Sequence, residues 1–320
     1  MQNTYMPEGY QNAIDSSRTR DLCATISGLE YALTHDIILE APVALCDGNF
    51  DLHINLGECH GIIPRDEVMF CRDNEKIKDI AILTRVGKNI CFKVIGFEKI
   101  NGKITAKLSR RAAQKECFEN YLMKLCPGDI IPAKVTHMEN FGAFVDIGCG
   151  IISLLSVDCI SVSRISHPKD RFDCGMNIMT IVKSIDYATG RIYVTHRELL
   201  GTWEENAACF APGQTVSGII RSIEQYGIFI ELSPNLAGLA ELREHNELYD
   251  ILDVGKQAAV YIKNIIPERM KIKLVLIDIH KSNTIISKPQ YFIDTDKTSH
   301  IDIWQYSPSC SSRIIETVFI

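Results

Sequence analysis

Residues 127–155 read PGDIIPAKVTHMENFGAFVDIGCGIISLL, and residues 212–242 read PGQTVSGIIRSIEQYGIFIELSPNLAGLAEL. Both segments follow one template: Pro-Gly, an alternating apolar run, an aromatic-Gly-x-Phe sequence, a second alternating run, then Gly and an apolar pair. The two copies are about 85 residues apart, which is too long for a helical repeat unit and right for a small β domain. Apolar residues at a period near two predict strands rather than helices.

Each copy continues into a second segment with glycine as its second residue, at residues 174–199 and 254–278. A weaker copy precedes them at residues 43–68 and 85–114, without the aromatic-Gly-x-Phe sequence. Five short strands separated by Gly and Pro are typical of a closed or nearly closed barrel, which leaves no exposed sheet edge. We therefore predict a mainly β protein made of three tandem five-stranded barrels joined by short helices.

Helical spacing of apolar residues predicts helices within residues 15–35, 109–125 and 198–210. The C-terminal segment contains Trp304 and Tyr306, is too aromatic for disorder, and is expected to fold back onto a barrel. The predicted domains are a helical lead (1–34), a degenerate first barrel (35–112), a helical linker (113–125), a well-preserved second barrel (126–200), a linker (201–210), a third barrel (211–280) and a tail (281–320).

The formal net charge of −6 argues against a protein coated with positive charge, but not against single-stranded RNA sites, which combine local charge with aromatic stacking. The segment from Arg85 to Lys115 is nevertheless strongly basic. Either it contributes to RNA binding, or it is a solvated face balanced by acids from elsewhere. No apolar run reaches about 20 residues and no secretory signal is visible, so we expect a cytoplasmic protein without a membrane partner.

The twelve cysteines are scattered without CxxC spacing, and we predict reduced thiols with no metal site. No Walker loop, GxSxG elbow or HExxH sequence is present, and the three repeats occupy nearly the whole chain. We therefore predict that the protein is not an enzyme and has no cofactor and no small-molecule substrate.

The segments 128–156 and 174–199 resemble the repeat of bacterial small-subunit ribosomal protein S-one, through FGAFV, the following Gly-apolar-apolar element and the Asp186 to Arg191 hairpin. Weaker likeness extends over residues 35 to 280, and the chain looks like the short form found in some Gram-positive bacteria. The resemblance implies a five-stranded OB-fold barrel that binds RNA.

The family's RNA-binding positions can be carried over one by one. The resemblance implies two aromatic residues, Phe141 and Phe144, and an Asp and Arg pair, Asp186 and Arg191. The position usually held by histidine is assigned to Ser153. In the third copy the corresponding residues are Tyr226, Phe229 and Glu241, with Pro267-Glu268-Arg269 in place of the Asp-Arg hairpin, and in the first copy they are Phe50, His53 and Pro64.

Two rings side by side can stack successive bases with little base preference. On a regular strand Phe141 and Phe144 would face opposite ways, so we predict a bend or bulge at Gly142. The alternative is that Phe144 is a core residue and only Phe141 is exposed. Basic residues expected near the same RNA are Lys134, His167, Lys169 and Arg171.

The predicted function is binding of single-stranded mRNA in translation, in association with the small ribosomal subunit. Tethered weak sites suit this role because each raises the local concentration of the others. The tail aromatics and the first barrel are candidates for the ribosome contact. A free RNA regulator, an accessory of RNA degradation, or a protein-interaction scaffold are the alternatives.

Overall fold

The computed structural model describes residues 5–10, 13–71, 77–100, 102–241, 252–280 and 288–320. The helices in these residues are α1 (Ala13–Ala24), α2 (Ile26–Thr34), α3 (Asp79–Leu83), α4 (Arg110–Asn120) and α5 (Trp203–Ala207). The strands are β1 (Leu39–Cys46), β2 (Leu52–Leu56), β3 (Cys59–Ile63), β4 (Asn89–Ile100), β5 (Lys103–Ser109), β6 (Ile130–Glu139), β7 (Gly142–Asp146), β8 (Ile152–Ser156), β9 (Asn177–Asp186), β10 (Arg191–Thr195), β11 (Thr215–Glu224), β12 (Gly227–Ser233), β13 (Leu236–Ala240), β14 (Gln257–Ile266), β15 (Lys271–His280), β16 (Ile303–Gln305) and β17 (Glu316–Val318).

Strand pairing closes five-stranded barrels with the orders β1-β2-β3-β5-β4, β10-β8-β7-β6-β9 and β11-β12-β13-β15-β14. We refer to them as the first, second and third barrel. The strands β16 and β17 form a separate two-stranded sheet. The prediction of a mainly β chain with closed five-stranded barrels is confirmed.

Alternating burial explains why these segments are strands. On β6 the side chains of Ile131, Ala133 and Val135 are buried, whereas the residues between them are only partly buried. The first and third barrels also share one irregularity in the pairing of their first two strands, between Val43 and Leu45 and between Ile220 and Ser222. A strand irregularity of this kind increases local twist, which helps a short sheet to close on itself.

The prediction of one helix over residues 15–35 is wrong, because the segment forms two helices. The side-chain oxygen of Thr25 accepts a hydrogen bond of 3.0 Å from the backbone N–H of Gly28, and so caps the start of α2. A Cβ atom at Gly28 would lie 2.4 Å from the carbonyl oxygen of Leu22. The chain therefore turns between the helices where a glycine allows close backbone approach.

The chain divides into two compact units, which we describe separately. Unit one comprises Met1–Leu125, Pro132–Lys134 and Asp146–Ile152, and unit two comprises Cys126–Ile131, Val135–Val145 and Ser153–Ile320. In unit one the carboxylate of Glu8 is buried and accepts a hydrogen bond of 2.7 Å from Nε of Arg110. The backbone N–H of Glu8 donates to Oδ2 of Asp146 at 2.8 Å. The segment around Glu8 is thus held by buried charged groups.

In unit two the tail folds back onto the barrels. The hydroxyl of Tyr291 accepts a hydrogen bond of 2.8 Å from the N–H of Met179, and the N–H of Ile130 donates to the carbonyl of Ser299 at 2.9 Å. Trp304 and Tyr306 are buried in one apolar cluster with Trp203 of α5. These tail aromatics stabilise the unit itself and are not exposed for a contact with a ribosome, contrary to one expectation from the sequence.

The basic segment between Arg85 and Lys115 is largely balanced by acidic side chains. Lys93 pairs with Asp36 and with Glu116, and Arg110 pairs with Glu8. Further pairs are Arg85–Glu8, Lys107–Glu98, Arg111–Glu67 and Lys115–Glu119. Of the two interpretations left open by the sequence, the structure favours charges balanced by acids from elsewhere.

All twelve cysteines are free thiols. Within the described part of the chain, no group of three or more His, Cys, Asp or Glu side chains is arranged to hold a metal ion. None of the described helices combines the length and the apolar character that a membrane span requires.

Candidate nucleic-acid surface

Phe141 and Phe144 lie side by side on the second barrel. Phe141 occupies the turn between β6 and β7, and 57% of its surface is exposed. Phe144 is half-buried in the middle of β7, and the two ring centroids are 6.0 Å apart with the rings at 89°. Both rings therefore border one surface, so the alternative that Phe144 is purely a core residue does not hold.

His137 adds a third ring that we did not predict from the sequence. It lies on β6, is exposed, and stacks on Phe144 with centroids 6.1 Å apart and planes at 22°. Its Nε2 atom lies 2.7 Å from Oε1 of Glu139. We name Phe141, Phe144 and His137 the second-barrel platform. Outward-facing aromatic or imidazole residues on neighbouring strands were the sequence signal for this addition.

Of the bend or bulge predicted at Gly142, the structure has no bulge but a turn, since Phe141 lies in the turn before β7 begins. Glycine is required for a different reason. A Cβ atom at Gly142 would lie 2.5 Å from the carbonyl oxygen of Leu155 on β8. The turn can therefore sit close against the neighbouring strand only with glycine, and this approach places Phe141 beside Phe144.

The third barrel repeats this arrangement with different side chains. The rings of Tyr226 and Phe229 have centroids 6.2 Å apart and lie at 89°, and 64% of Tyr226 is exposed. A Cβ atom at Gly227 would lie 2.7 Å from the carbonyl oxygen of Ala240. Ser222 pairs with Phe229 across β11 and β12, at the position that His137 holds in the second barrel. We name Tyr226 and Phe229 the third-barrel platform.

Asp186 and Arg191 face each other across the β9–β10 hairpin. Asp186 accepts hydrogen bonds from the side chain and backbone of Thr189 and from the N–H of Ala188, and these bonds lower the pKa of its carboxyl. Asp186 thus shapes the turn, whereas Arg191 is exposed. In the third barrel Lys271 pairs with Ile266 in the same register. The counterpart of Arg191 is therefore Lys271 and not the Pro267-Glu268-Arg269 turn.

Strand register also moves the histidine position of the family. Leu155 pairs with Val194 on β10, as Ala240 pairs with Leu274 on β15. The residue after Leu155 is Ser156, and it corresponds to Glu241. Ser153 is buried, and its hydroxyl donates to the carbonyl of Ile192 at 2.7 Å. Ser156 therefore replaces Ser153 as the candidate at this position.

The predicted basic residues divide into exposed and internal ones. Lys169 is exposed, and Nδ1 of the half-buried His167 accepts a hydrogen bond of 3.0 Å from the N–H of Lys169. Arg171 instead donates to Oε2 of the buried Glu231 at 2.6 Å. Nζ of Lys134 donates to the carbonyls of Glu8 and Gly9 at 3.1 and 2.9 Å. The structure thus directs Arg171 and Lys134 toward protein groups rather than toward the second-barrel platform.

The first barrel has no aromatic pair at the matching positions. The ring of Phe50 lies against the apolar core, with the guanidinium carbon of Arg65 4.7 Å from its centroid. His53 occupies the position of Phe144, and its Nδ1 atom lies 2.7 Å from Nε2 of His60. Nε2 of His53 lies 3.1 Å from Oδ2 of Asp47. The first barrel therefore offers a polar group where the other two offer stacked rings.

Residues 124–197, which contain the second-barrel platform and Arg191, match the S1 RNA binding domain. Small ribosomal subunit protein bS1 of Staphylococcus aureus is 28% identical over 270 residues, which cover 81% of this chain and 66% of that protein. The chain is thus similar to S1 proteins over most of its length, and residues 124–197 are the part that matches the S1 RNA binding domain. It thus spans just under two thirds of the length of this curated S1 relative.

Other similarities have lower coverage or identity. Small ribosomal subunit protein bS1 of Chlamydia trachomatis is 26% identical over 195 residues, which cover 59% of this chain and 34% of that protein. A solved multidomain protein with nucleic acid binding domains from Streptococcus pneumoniae is 12% identical, with coverage of 76% and 73% and a TM-score of 0.24.

Proposed function

We propose that this chain binds single-stranded RNA by stacking bases on the second-barrel and third-barrel platforms. The observation that carries the proposal is the same arrangement of two aromatic rings in two barrels, each with one exposed and one half-buried ring and each set by a glycine packed against the next strand. Stacking on each ring stabilises RNA binding by about 1–3 kcal/mol and tolerates any base. Arg191 is the candidate for a phosphate contact, because it is exposed on the same barrel.

The proposed architecture is three tandem OB-fold barrels joined by short helices, with domain limits at 35–112, 126–200 and 211–280. The closed strand orders support this division, and α4 and α5 lie at the two junctions. Within it, the second barrel is the main RNA site and the third barrel a helper. The first barrel, with His53 at the position of Phe144, is proposed as a docking module that does not stack bases.

The proposed RNA is mRNA, and the proposed partner is the small ribosomal subunit. We further propose that the chain acts in the cytoplasm and that it binds RNA without catalysing a reaction. Both relatives in the S1 family are named as small ribosomal subunit proteins, which supports a role in translation. Tandem weak sites on one chain suit a protein that holds unstructured message, because each bound site raises the effective concentration of the next.

The decisive experiment measures the affinity of the full chain for an unstructured oligoribonucleotide by fluorescence anisotropy. Phe141→Ala should lower the affinity by about tenfold, since one stacking contact is lost. Tyr187→Ala is the matched control, because Tyr187 is also an exposed aromatic residue of the second barrel but lies in the β9–β10 turn. Equal effects of the two substitutions, or no binding by the wild-type chain, would refute the proposal.

A sedimentation experiment tests the partner. The wild-type chain should co-sediment with small ribosomal subunits in the presence and absence of mRNA. Binding only when mRNA is present would instead identify a free RNA-binding regulator.

A further inference from the structure

One strand position differs in chemistry between the second and third barrels. On β10, Tyr193 pairs with Leu154 of β8 on one side and with Ser184 of β9 on the other. On β15, Lys273 pairs in the same way with Leu239 of β13 and Asn264 of β14. Tyr193 and Lys273 are thus structural counterparts, and neither was singled out from the sequence.

This position shares a row with the platform of its barrel. In the third barrel Phe229 pairs with Leu239, and Leu239 pairs with Lys273, so the lysine lies two strands from the aromatic ring. Neighbouring strands are about 4.8 Å apart, so two strands span about 10 Å. A nucleotide chain that stacks on Phe229 can reach this position with its next residue.

The side chains point outward in both barrels. On β10, Ile192 and Val194 are buried, and Tyr193 between them has 36% of its surface exposed. On β15, Lys271 and Lys273 are exposed on either side of the buried Ile272. Neither lysine has an ion-pair partner among the residues that the structure describes. On β10, Arg191 precedes Tyr193 by two residues, and on β15, Lys271 precedes Lys273 by the same spacing.

The two side chains suit different parts of a nucleic acid. A tyrosine ring stacks on a base, and the affinity gained by stacking does not depend on salt concentration. A lysine ammonium neutralises a phosphate and releases a counterion, so the affinity gained by this contact falls as salt concentration rises. Each phosphate neutralised on a single strand changes the slope of log K against log salt concentration by about 0.7.

We propose that the two barrels hold one RNA strand by different chemistry. In the second barrel Tyr193 extends the platform as an additional base-stacking residue. In the third barrel Lys271 and Lys273 bind backbone phosphates next to the bases stacked on Tyr226 and Phe229. The third barrel therefore contributes more to the salt dependence of RNA binding than the second barrel, where Arg191 is the candidate phosphate contact. This inference rests on the proposed single-stranded RNA function.

The test follows the affinity of the full chain for a fluorescent oligouridylate at several salt concentrations. Substitution of both lysines, Lys271→Gln with Lys273→Gln, should reduce the salt slope by about 1.4, which is two phosphates at about 0.7 each. Tyr193→Ala should lower affinity about tenfold without changing the slope, and Tyr193→Lys should increase the slope by about 0.7. Lys297→Gln is the matched charge control, since Lys297 is an exposed tail residue paired with Asp294.

An unchanged slope in the double lysine variant, or a changed slope in Tyr193→Ala, would overturn this inference. These outcomes differ from those expected if the proposed RNA-binding function is wrong. If that function is wrong, the wild-type chain does not bind the oligouridylate, or the Phe141→Ala variant binds it as tightly as the wild-type chain.

Discussion

The hydroxyl of Tyr306 donates a hydrogen bond of 2.7 Å to the backbone carbonyl of Asn235, and both residues are buried. The side chain of Asn235 also accepts from the N–H of Val162 at 3.0 Å and donates to the carbonyls of Arg197 and Gly201 at 2.8 Å each. One asparagine of the third barrel thus connects the tail, the linker around α5 and a loop of the second barrel.

Asn235→Ala should lower the free energy of unfolding of unit two by about 3 kcal/mol, because it leaves buried backbone groups without partners. Tyr306→Phe should lower it by about 1 kcal/mol, since it removes one hydrogen bond. Both tryptophans of the chain are buried in unit two, so their fluorescence during urea unfolding reports on this unit. Tyr187→Phe serves as the exposed control, and a Tyr306→Phe variant as stable as this control would contradict the expectation.

Unit one should become less stable as the pH rises from about 4 to about 7. Burial, and then the charge of Glu8, raise the pKa of Asp146 from 3.8 to about 7. In this window the native chain retains a proton that the unfolded chain has released, so rising pH favours unfolding. Asp146→Asn should flatten this dependence.

The readout is hydrogen exchange at the amides of Gly148 and Gly150, which donate to Oδ1 of Asp146 at 2.9 and 3.0 Å. Asp173→Asn, which changes an exposed carboxyl of unit two, is the control. If Asp146→Asn retained the wild-type pH dependence at these amides, another group would be responsible.

Unit two should respond to pH in the opposite direction. Burial lowers the pKa of His196 from 6.5 to about 4. Its Nδ1 atom lies 2.9 Å from the carbonyl oxygen of Ile160, and its ring contacts those of Phe172 and Tyr291. As the pH falls from about 6.5 to about 4, the unfolded chain takes up a proton that the native chain does not, so unit two loses stability.

His196→Asn should remove this dependence, with some loss of stability at neutral pH. Urea unfolding followed by tryptophan fluorescence at several pH values measures both effects, and the half-buried His167 provides a control substitution, His167→Asn. A similar loss of acid sensitivity in both variants would argue against the role of His196.

Ser156 and Ser153 should respond differently to replacement by histidine. Ser156→His restores the family's side chain at the position set by strand register, and we expect RNA affinity to rise by about fivefold or more, since one added stacking contact contributes about 1–3 kcal/mol. Ser153→His places a larger polar side chain in the interior beside Ile192 and should destabilise the second barrel by about 2 kcal/mol or more. Anisotropy and urea unfolding distinguish the two results. Equal RNA affinity in both variants would indicate that neither position contacts RNA.

The strands and the aromatic pairs were predictable because they depend on local patterns. Alternating apolar residues reveal which side of a strand is buried, and aromatic-Gly-x-Phe marks the turn that carries Phe141. The fate of Arg171 was not predictable in this way. Its partner Glu231 lies 60 residues later in the chain, so only the packed structure identifies the pair.

The family histidine position was assigned to the wrong serine for a similar reason, because strand pairing depends on residues that are distant in the sequence. In the sequence, Gly150 is followed by two apolar residues, and this Gly-apolar-apolar pattern predicts the family histidine position at Ser153. The strand pairing instead aligns Ser153 with Gly238, because Leu154 and Leu239 pair with matching residues of the last strand. A single sequence contains several glycines at a spacing that fits the Gly-apolar-apolar element, and only the pairing of neighbouring strands shows which glycine is the structural counterpart.

The tail that covers Trp203 follows both barrels of unit two in the chain. During synthesis, the strands of the second and third barrels are made before residues 288–320. Until then the backbone N–H of Met179 and the carbonyl of Asn235 lack the partners that Tyr291 and Tyr306 supply. Until the tail docks, α5 and the apolar surface around Trp203 lack the cover that Trp304 and Tyr306 give them, so we expect docking of the tail to be a late step in the folding of unit two.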